Sequence, residues 1–134
     1  MARTIEQTVT LAAPPEQLYS MYVDPALHAA ITGQPVSISA EPGALFSAFG
    51  GALAGRVLQT IAGALIVQAW RSTHWPSEDI DSTLVVTFRA QGDQGRIDLV
   101  HVNVPEHDVD GVSEGWEKFY WTPWRAYIEK NSAR

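Results

Sequence analysis

The stretch Gly111–Lys130 constrains the fold more than any other part of this sequence. Apolar residues recur there at steps of three and four from Val112 and Trp116, which predicts one apolar stripe along a helix. Trp121 falls off that stripe. Pro123 interrupts the pattern, because proline lacks an N–H and crowds the carbonyl four residues earlier. The stretch predicts a long, kinked, aromatic helix whose wide apolar surface must be covered by another layer.

Length, charge and composition narrow the class of protein. The 134 residues fit a single domain, 1–134, with a sizeable core and no disulfides, since the sequence contains no cysteine. A net charge of −6 with scattered basic residues gives no footprint for nucleic acid. No stretch approaches the ~20 apolar residues of a membrane span, and no secretory signal is recognisable. We therefore expect a cytoplasmic domain with no membrane insertion.

Before the C-terminal helix, the sequence predicts a strand, two short helices and about six further strands. Residues 4–11 alternate between apolar and polar, as a half-buried strand does. Pro15 suits the first turn of one short helix; Asp24 is a predicted N-cap for the next, and Gly33 is placed to end it. After Pro35, turn signals recur about every ten residues, which favours an antiparallel meander.

Alternation within the later strands predicts which side chains face inward. The expected inner-face residues are Leu53, Val57 and Ile61; Leu84, Val86 and Phe88; and Ile97, Leu99 and His101, with Asn103 near the strand end. The last helix is expected to start at Ser113 with Glu114. This order predicts an α+β fold in which the concave face of a sheet packs on the C-terminal helix. A mostly apolar cavity is expected between them, where small ligands bind.

Five segments, in this order and spacing, carry a resemblance to a known family: Leu18–Gly33, Gly43–Gly55, Ile66–Pro76, Ser82–Phe88 and Val104–Ile128. The chain resembles the AHSA family, named after activators of the ninety-kilodalton heat-shock chaperone ATPase. That family lies within the START and birch-pollen-allergen-like superfamily (SRPBCC). The resemblance implies a helix-grip fold: a curved antiparallel sheet of about six or seven strands around a long C-terminal helix, with two short helices after the first strand. Ile31 departs from the family pattern, which often has tryptophan there.

Three functions remain open at this point. The first is non-catalytic binding of an apolar or aromatic small molecule, lipid- or polyketide-like, in the cavity. The second, implied by the resemblance, is co-chaperone-like activation of the heat-shock protein 90 ATPase through surface contacts. The third is an aromatase or cyclase-type enzyme that uses the cavity, with His101 and a tyrosine in proton transfer. The candidate partners are a hydrophobic small molecule and a heat-shock chaperone, and both a monomer and a homodimer are open.

The residues expected to line the cavity are mainly aromatic and apolar. They are Met21, Tyr22, Phe46, Trp70, Trp75, Phe88, Leu99, His101, Trp116, Tyr120 and Trp121. The aromatic members either stack on a planar ligand or simply fill the core. His101 either bonds a ligand's polar end, acts as a general base, or is a core histidine satisfied within the protein. No catalytic residue and no cofactor are assigned.

Two charged groups are interpreted as structural. Arg71 follows Trp70 and is expected on the opposite, convex face in an ion pair. The acidic segment 105–110 contains carboxylates and a histidine, but Gly111 follows Asp108 too soon for a calcium loop. A solvated loop before the last helix is the favoured interpretation, and no metal site is predicted.

Overall fold

A single antiparallel sheet and a long C-terminal helix dominate the computed structural model, which describes residues 2–132 and only the backbone of Ser132. The strands are β1 (Ala2–Leu11), β2 (Val36–Ser37), β3 (Leu45–Ala48), β4 (Leu53–Ile61), β5 (Leu65–Ser72), β6 (Ser82–Gln91) and β7 (Gln94–Pro105). The α-helices are α1 (Pro15–Val23), α2 (Pro25–Thr32), α3 (Val109–Trp116) and α4 (Thr122–Ser132), and a π-helical turn (Glu117–Trp121) joins the last two. Short 3₁₀ turns span Phe49–Gly51 and Glu106–Asp108.

The seven described strands have the order β1-β7-β6-β5-β4-β3-β2, and every neighbouring pair is antiparallel. The predicted curved sheet with two short helices after the first strand is therefore confirmed. The predicted inner faces of β6 and β7 are confirmed as well, because these residues are all buried: Leu84, Val86, Phe88, Ile97, Leu99 and His101. The apolar members of this set pack in one continuous core with the C-terminal helix.

Local chemistry fixes the two short helices where the sequence places them. Asp24 caps α2, since its carboxylate accepts hydrogen bonds from the backbone N–H groups of Ala26 (2.8 Å) and Leu27 (3.1 Å). Gly33 ends the helix in the left-handed region, with φ of 75°. Both predicted boundary residues are confirmed. Buried residues of α1, such as Leu18, place these helices against the sheet core.

Irregular pairing overturns two predicted inward positions. A register shift between Val57 and Gln59 breaks the alternation of β4, so Ile61 is 54% exposed although Val57 is fully buried. In β7, Asn103 has a positive φ of 65° and donates a hydrogen bond to the Asp81 carbonyl (3.3 Å). Val104 is buried instead. The predictions that Ile61 and Asn103 face inward are therefore wrong, because bulges change the phase of the strand.

The C-terminal helix begins at Val109, earlier than the predicted start at Ser113 with Glu114. Its π-helical turn ends at Trp121, and only Thr122 separates it from Pro123. There the Thr122 N–H bonds the carbonyl of Glu117, five residues earlier. The wider turn accommodates a proline that cannot donate a hydrogen bond. The extra residue in the turn shifts the buried face of the helix, so that aromatic residues on either side of the shift are buried. These residues are Trp116, Tyr120, Trp121 and Trp124.

Candidate functional site

A cleft of about 390 Å³ lies between the first half of the C-terminal helix and one end of the sheet. The sheet side contributes Phe49, Ala52, Leu53, Trp70, Ser72 and His74. The helix side contributes Asp108, Gly111, Val112, Gly115, Trp116, Phe119 and Tyr120. We call this the C-terminal cleft. It lies where the start of β4 and the end of β5 face α3 and the π-helical turn.

Aromatic rings form the walls of the C-terminal cleft and support one another. Phe49 packs edge-on against Phe119 and Tyr120, with ring centroids 5.6 and 5.8 Å apart. On the inner side, Trp116 lies 6.2 Å from Trp70 and 4.7 Å from Tyr120. Rings held by such contacts offer a preformed apolar surface, which lowers the cost of ordering side chains when a ligand binds.

Phe49 is held in an uncommon backbone conformation at the rim of the cleft. Its φ is 54°, in the left-handed region that residues other than glycine rarely adopt. Gly50 and Gly51, which follow, also have positive φ values, of 65° and 98°. Strained non-glycine residues of this kind cluster at ligand sites, where the surrounding structure maintains them. Here the loop keeps the Phe49 ring against the helix and closes one side of the cleft.

Two glycines create the space on the helix side. Gly111 and Gly115 are one helical turn apart on α3, so they lie on the same face and present no side chain to the cleft. A Cβ atom added at Gly115 would meet only the Phe119 ring, at an ordinary contact distance of 3.6 Å. The helix backbone at Gly115 would therefore accept a side chain without a backbone clash, and that side chain would occupy the cleft.

The polar end of the C-terminal cleft is organised by Asp108. Its Oδ2 accepts a hydrogen bond of 2.7 Å from the indole Nε1 of Trp75, which ties the loop after β5 to the start of α3. Asp108 stands at the N-cap position of α3 but makes no side-chain capping hydrogen bond. Ser72 and His74 lie at the same end, where the Ser72 hydroxyl accepts a hydrogen bond from the His74 N–H (3.2 Å).

His101 is buried behind the cleft, and both its ring nitrogens have partners. The Ser82 hydroxyl donates its one proton to the Trp70 carbonyl (2.6 Å), so the 2.8 Å contact to His101 Nε2 requires that Nε2 donate. His101 Nδ1 then accepts from the Trp116 indole N–H (3.2 Å). Burial lowers the pKa of His101 to about 3, so the ring is neutral at neutral pH. His101 is a satisfied core histidine outside the cleft lining.

A second buried histidine engages a residue of the cleft wall. His28 Nδ1 lies 2.8 Å from the Tyr22 carbonyl, which can only accept, so Nδ1 carries the proton. Its Nε2 accepts from the Tyr120 hydroxyl at 2.9 Å. Burial lowers the pKa of His28, partly offset by the Tyr22 hydrogen bond, and burial raises that of Tyr120. The Tyr120 proton is already donated within the core.

The structure separates the eleven residues predicted to line a cavity into two groups. Three line the C-terminal cleft: Trp70, Trp116 and Tyr120. The other eight are buried in the packed core around it: Met21, Tyr22, Phe46, Trp75, Phe88, Leu99, His101 and Trp121. Within that core, Trp121 stacks between Trp116 (5.7 Å) and Trp124 (6.1 Å), and Trp75 bonds Asp108.

Sequence reasoning missed the residues that open the cleft. The signal for two of them is the spacing of Gly111 and Gly115, since glycines four apart on a helix leave a strip without side chains. The signal for Phe49 is the Gly50-Gly51 pair that follows it, which marks a turn next to an aromatic residue. No comparable signal identifies His74, whose place depends on the path of the loop after β5.

Arg71 forms the ion pair that the sequence favours, whereas the acidic segment 105–110 is a 3₁₀ turn and the start of α3 instead of a solvated loop. Arg71 forms an ion pair with Asp81 (2.8 Å) and donates hydrogen bonds to the Asp79 and Pro76 carbonyls, which orders the loop between β5 and β6. His107 lies 2.8 Å from Asp79. Among residues 2–132, no group of three or more metal-ligating side chains is assembled. Within the same range, no helix has the length and apolar character to cross a membrane.

A curved seven-stranded sheet closed over a long C-terminal helix, with an aromatic cleft at one end, defines a helix-grip domain. The sequence model of the family described as "Activator of Hsp90 ATPase homolog 1-like protein" matches residues 12–129, and the chain belongs to this family. The resemblance drawn from the sequence segments is therefore confirmed.

Individual proteins share sequence or fold with this chain. The human protein "Activator of 90 kDa heat shock protein ATPase homolog 1" is 25% identical over 112 residues, which are 84% of this chain and 33% of that protein. The chain spans about a third of the length of the curated relatives it matches. An HSP90 activator from Plasmodium falciparum superimposes with a TM-score of 0.86 and 21% identity, covering 94% of this chain and 96% of that one. Ara h 8.0201 gives a TM-score of 0.77 at 12% identity, covering 97% and 99%.

Proposed function

We propose that this domain binds an apolar or aromatic small molecule in the C-terminal cleft. The observation that carries the proposal is the preformed wall of aromatic rings around a space of about 390 Å³. That volume falls in the range of roughly 300–1,000 Å³ typical of small-molecule sites, and such sites are mostly apolar with few polar groups. Residues predicted from the sequence to line a cavity, Trp70, Trp116 and Tyr120, belong to this wall.

The strained rim supports the same proposal. A left-handed conformation at Phe49, in the turn that joins β3 to β4, costs free energy of order 1–3 kcal/mol. Its result is an aromatic ring placed over the cleft entrance beside Phe119, which is 47% exposed. An exposed phenylalanine at the edge of an aromatic cleft is explained if a bound molecule covers it.

The test uses a neutral fluorescent probe, N-phenyl-1-naphthylamine, whose emission rises in an apolar site. The wild-type protein is expected to give a saturable increase. Gly115→Leu places a side chain in the cleft and is expected to weaken binding by about tenfold or more. Ala126→Leu, which places the same side chain on the exposed side of α4, is the matched control and should leave the affinity unchanged. The proposal fails if wild-type binding is not saturable, or if Gly115→Leu binds as the wild type does.

A second candidate function is activation of a heat-shock protein 90 ATPase through surface contacts. Family membership favours it, together with the printed names of the human relative and the Plasmodium falciparum structure. The measurement is the steady-state ATPase rate of that chaperone with increasing amounts of this protein. A dose-dependent rise is expected under this proposal, and an unchanged rate over a range of concentrations would reject it.

A cyclase-type reaction through His101 has no support from the geometry. Both ring nitrogens of His101 are engaged by Ser82 and Trp116, and the side chain is fully buried outside the cleft lining. A general base must reach the proton it abstracts, directly or through one water. We therefore assign His101 no catalytic step.

A further inference from the structure

We propose that the ligand of the C-terminal cleft is an organic cation, an aryl or alkyl body that carries a protonated or quaternary amine. This inference rests on the proposed small-molecule site and specifies its chemistry. Two features of the cleft carry it: the carboxylate of Asp108 at one end, and a wall of aromatic rings in which Trp116 and Tyr120 have already donated their polar hydrogens.

The carboxylate is that of Asp108. Its Oδ2 is occupied by the Trp75 indole N–H, but its Oδ1 accepts no hydrogen bond from any residue in the range 2–132. A Cβ atom built on Gly111 would lie 2.7 Å from this Oδ1, so the oxygen stands over the strip of α3 that lacks side chains. Asp108 and Gly111 both line the cleft. The free oxygen is thus available to a hydrogen-bond donor on the ligand, and a charged donor makes the stronger bond.

The aromatic wall adds a second attraction for positive charge. The Trp116 indole N–H is donated to His101, and the Tyr120 hydroxyl proton is donated to His28. These two side chains therefore contribute their ring faces and edges to the site, with no free donor. Cations bind over aromatic faces, best over tryptophan. Phe119 already shows this behaviour, since the Lys118 ammonium lies 5.4 Å from its ring centroid.

The surrounding charges favour a cation over an anion. Among residues 2–132, no lysine or arginine lines the cleft, although the Lys118 ammonium lies over the Phe119 ring, and the whole chain carries a net charge of −6. The amino end of α3 bears a partial positive charge that would attract an anion. However, Asp108 stands at that end, and Asp110 follows in the first turn. The negative charges of these two carboxylates offset the partial positive charge at the amino end of α3. An anionic head group would therefore meet net repulsion there.

The experiment compares three ligands with one skeleton: 4-phenylbutylamine, 4-phenylbutan-1-ol and 4-phenylbutyrate. Each displaces N-phenyl-1-naphthylamine from the full chain at neutral pH. The amine is expected to bind about tenfold more tightly than the alcohol, and the butyrate most weakly. Asp108→Asn keeps an acceptor for Trp75 but removes the charge, and it should bring amine and alcohol within about twofold of each other. Asp93→Asn, at an exposed turn position that does not line the cleft, is the matched charge control, and it should preserve the preference for the amine.

The outcomes separate the head group from the site itself. If the alcohol and the amine bind equally to the wild type, or the butyrate binds best, the cation is rejected while the cleft remains a binding site. If neither the probe nor any of the three ligands binds, both the small-molecule site and the inference of a cationic ligand are rejected. Should Asp108→Asn fail to fold, salt provides the second measurement. Amine affinity in the wild type should fall as ionic strength rises and alcohol affinity should not, and equal salt dependence overturns the inference.

Discussion

Acidification is expected to destabilise this protein through its buried histidines well before its carboxylates are protonated. His101 is fully buried, and burial lowers its pKa to about 3 in the folded chain. The unfolded chain has an ordinary histidine pKa of about 6.5. Between these two values the unfolded state binds a proton that the folded state does not bind, so the free energy of unfolding falls as the pH falls. Above about pH 6.5 this loss is absent.

The magnitude follows from that difference in proton binding. Lowering the pH from about 7.5 to about 5.0 is expected to remove about 2 kcal/mol of stability through His101 alone. His28 adds a loss of the same sign, because burial lowers its pKa too. Asp98 acts only at lower pH. Although burial opposes the shift, hydrogen bonds from Thr8 and Arg96 keep its pKa below the ordinary value, so its contribution is lost as the pH falls below about 4.

Urea unfolding, followed by tryptophan fluorescence at several pH values between about 5.0 and 7.5, measures this dependence. His101→Gln removes the titrating group. Whatever its stability at neutral pH, its dependence on pH should be shallower than that of the wild type by about 2 kcal/mol over the range. His74→Gln, at an exposed histidine, is the control and should keep the wild-type dependence. A wild type whose stability is flat across this range, or a His101→Gln variant with an unchanged slope, would refute the reasoning.

Three substitutions test other parts of the fold by the same unfolding measurement. Asp24→Ala removes the cap of α2 and should cost about 1 kcal/mol; no loss would mean that the cap is replaceable. Gly55→Ala should cost about 3 kcal/mol or more, because the new Cβ would lie 1.8 Å from the Ala69 carbonyl oxygen, and a stable variant would contradict this geometry. Gly115→Ala should raise stability by up to about 1 kcal/mol through helix propensity, and a clear loss would show a clash.

Much of the fold was predictable because short-range patterns carry it. Alternation identified the inner faces of β6 and β7, and Asp24 and Gly33 marked the two ends of α2. The errors lie at bulges. One extra residue after Val57 turns Ile61 outward, and sequence alternation continues past such a point without any sign of it. Bulges depend on the twist and pairing of neighbouring strands, which a single segment does not record.

The cleft was harder to predict than the fold. Its walls and the core consist of the same residue types, so the sequence could not distinguish Trp116, which lines the cleft, from Trp121, which stacks behind it. The two side chains point in different directions because the π-helical turn lies between them. That turn depends on how the whole helix packs and not on a local sequence signal. The space itself depends on Gly115, a residue that contributes no side chain, and on the left-handed backbone of Phe49.

The extra residue of Glu117–Trp121 sets the direction in which every later side chain of the C-terminal helix points. Each helical residue advances by roughly 100°, so deleting one residue from this turn would rotate everything beyond it by that angle. Trp124 and Ile128 would leave the interior, while Trp116 would stay in place. Because Tyr120 belongs to the same turn and borders the cleft, a molecule that tightened the turn would also reorient α4. Binding of a molecule in the cleft would then rotate α4 about the helix axis.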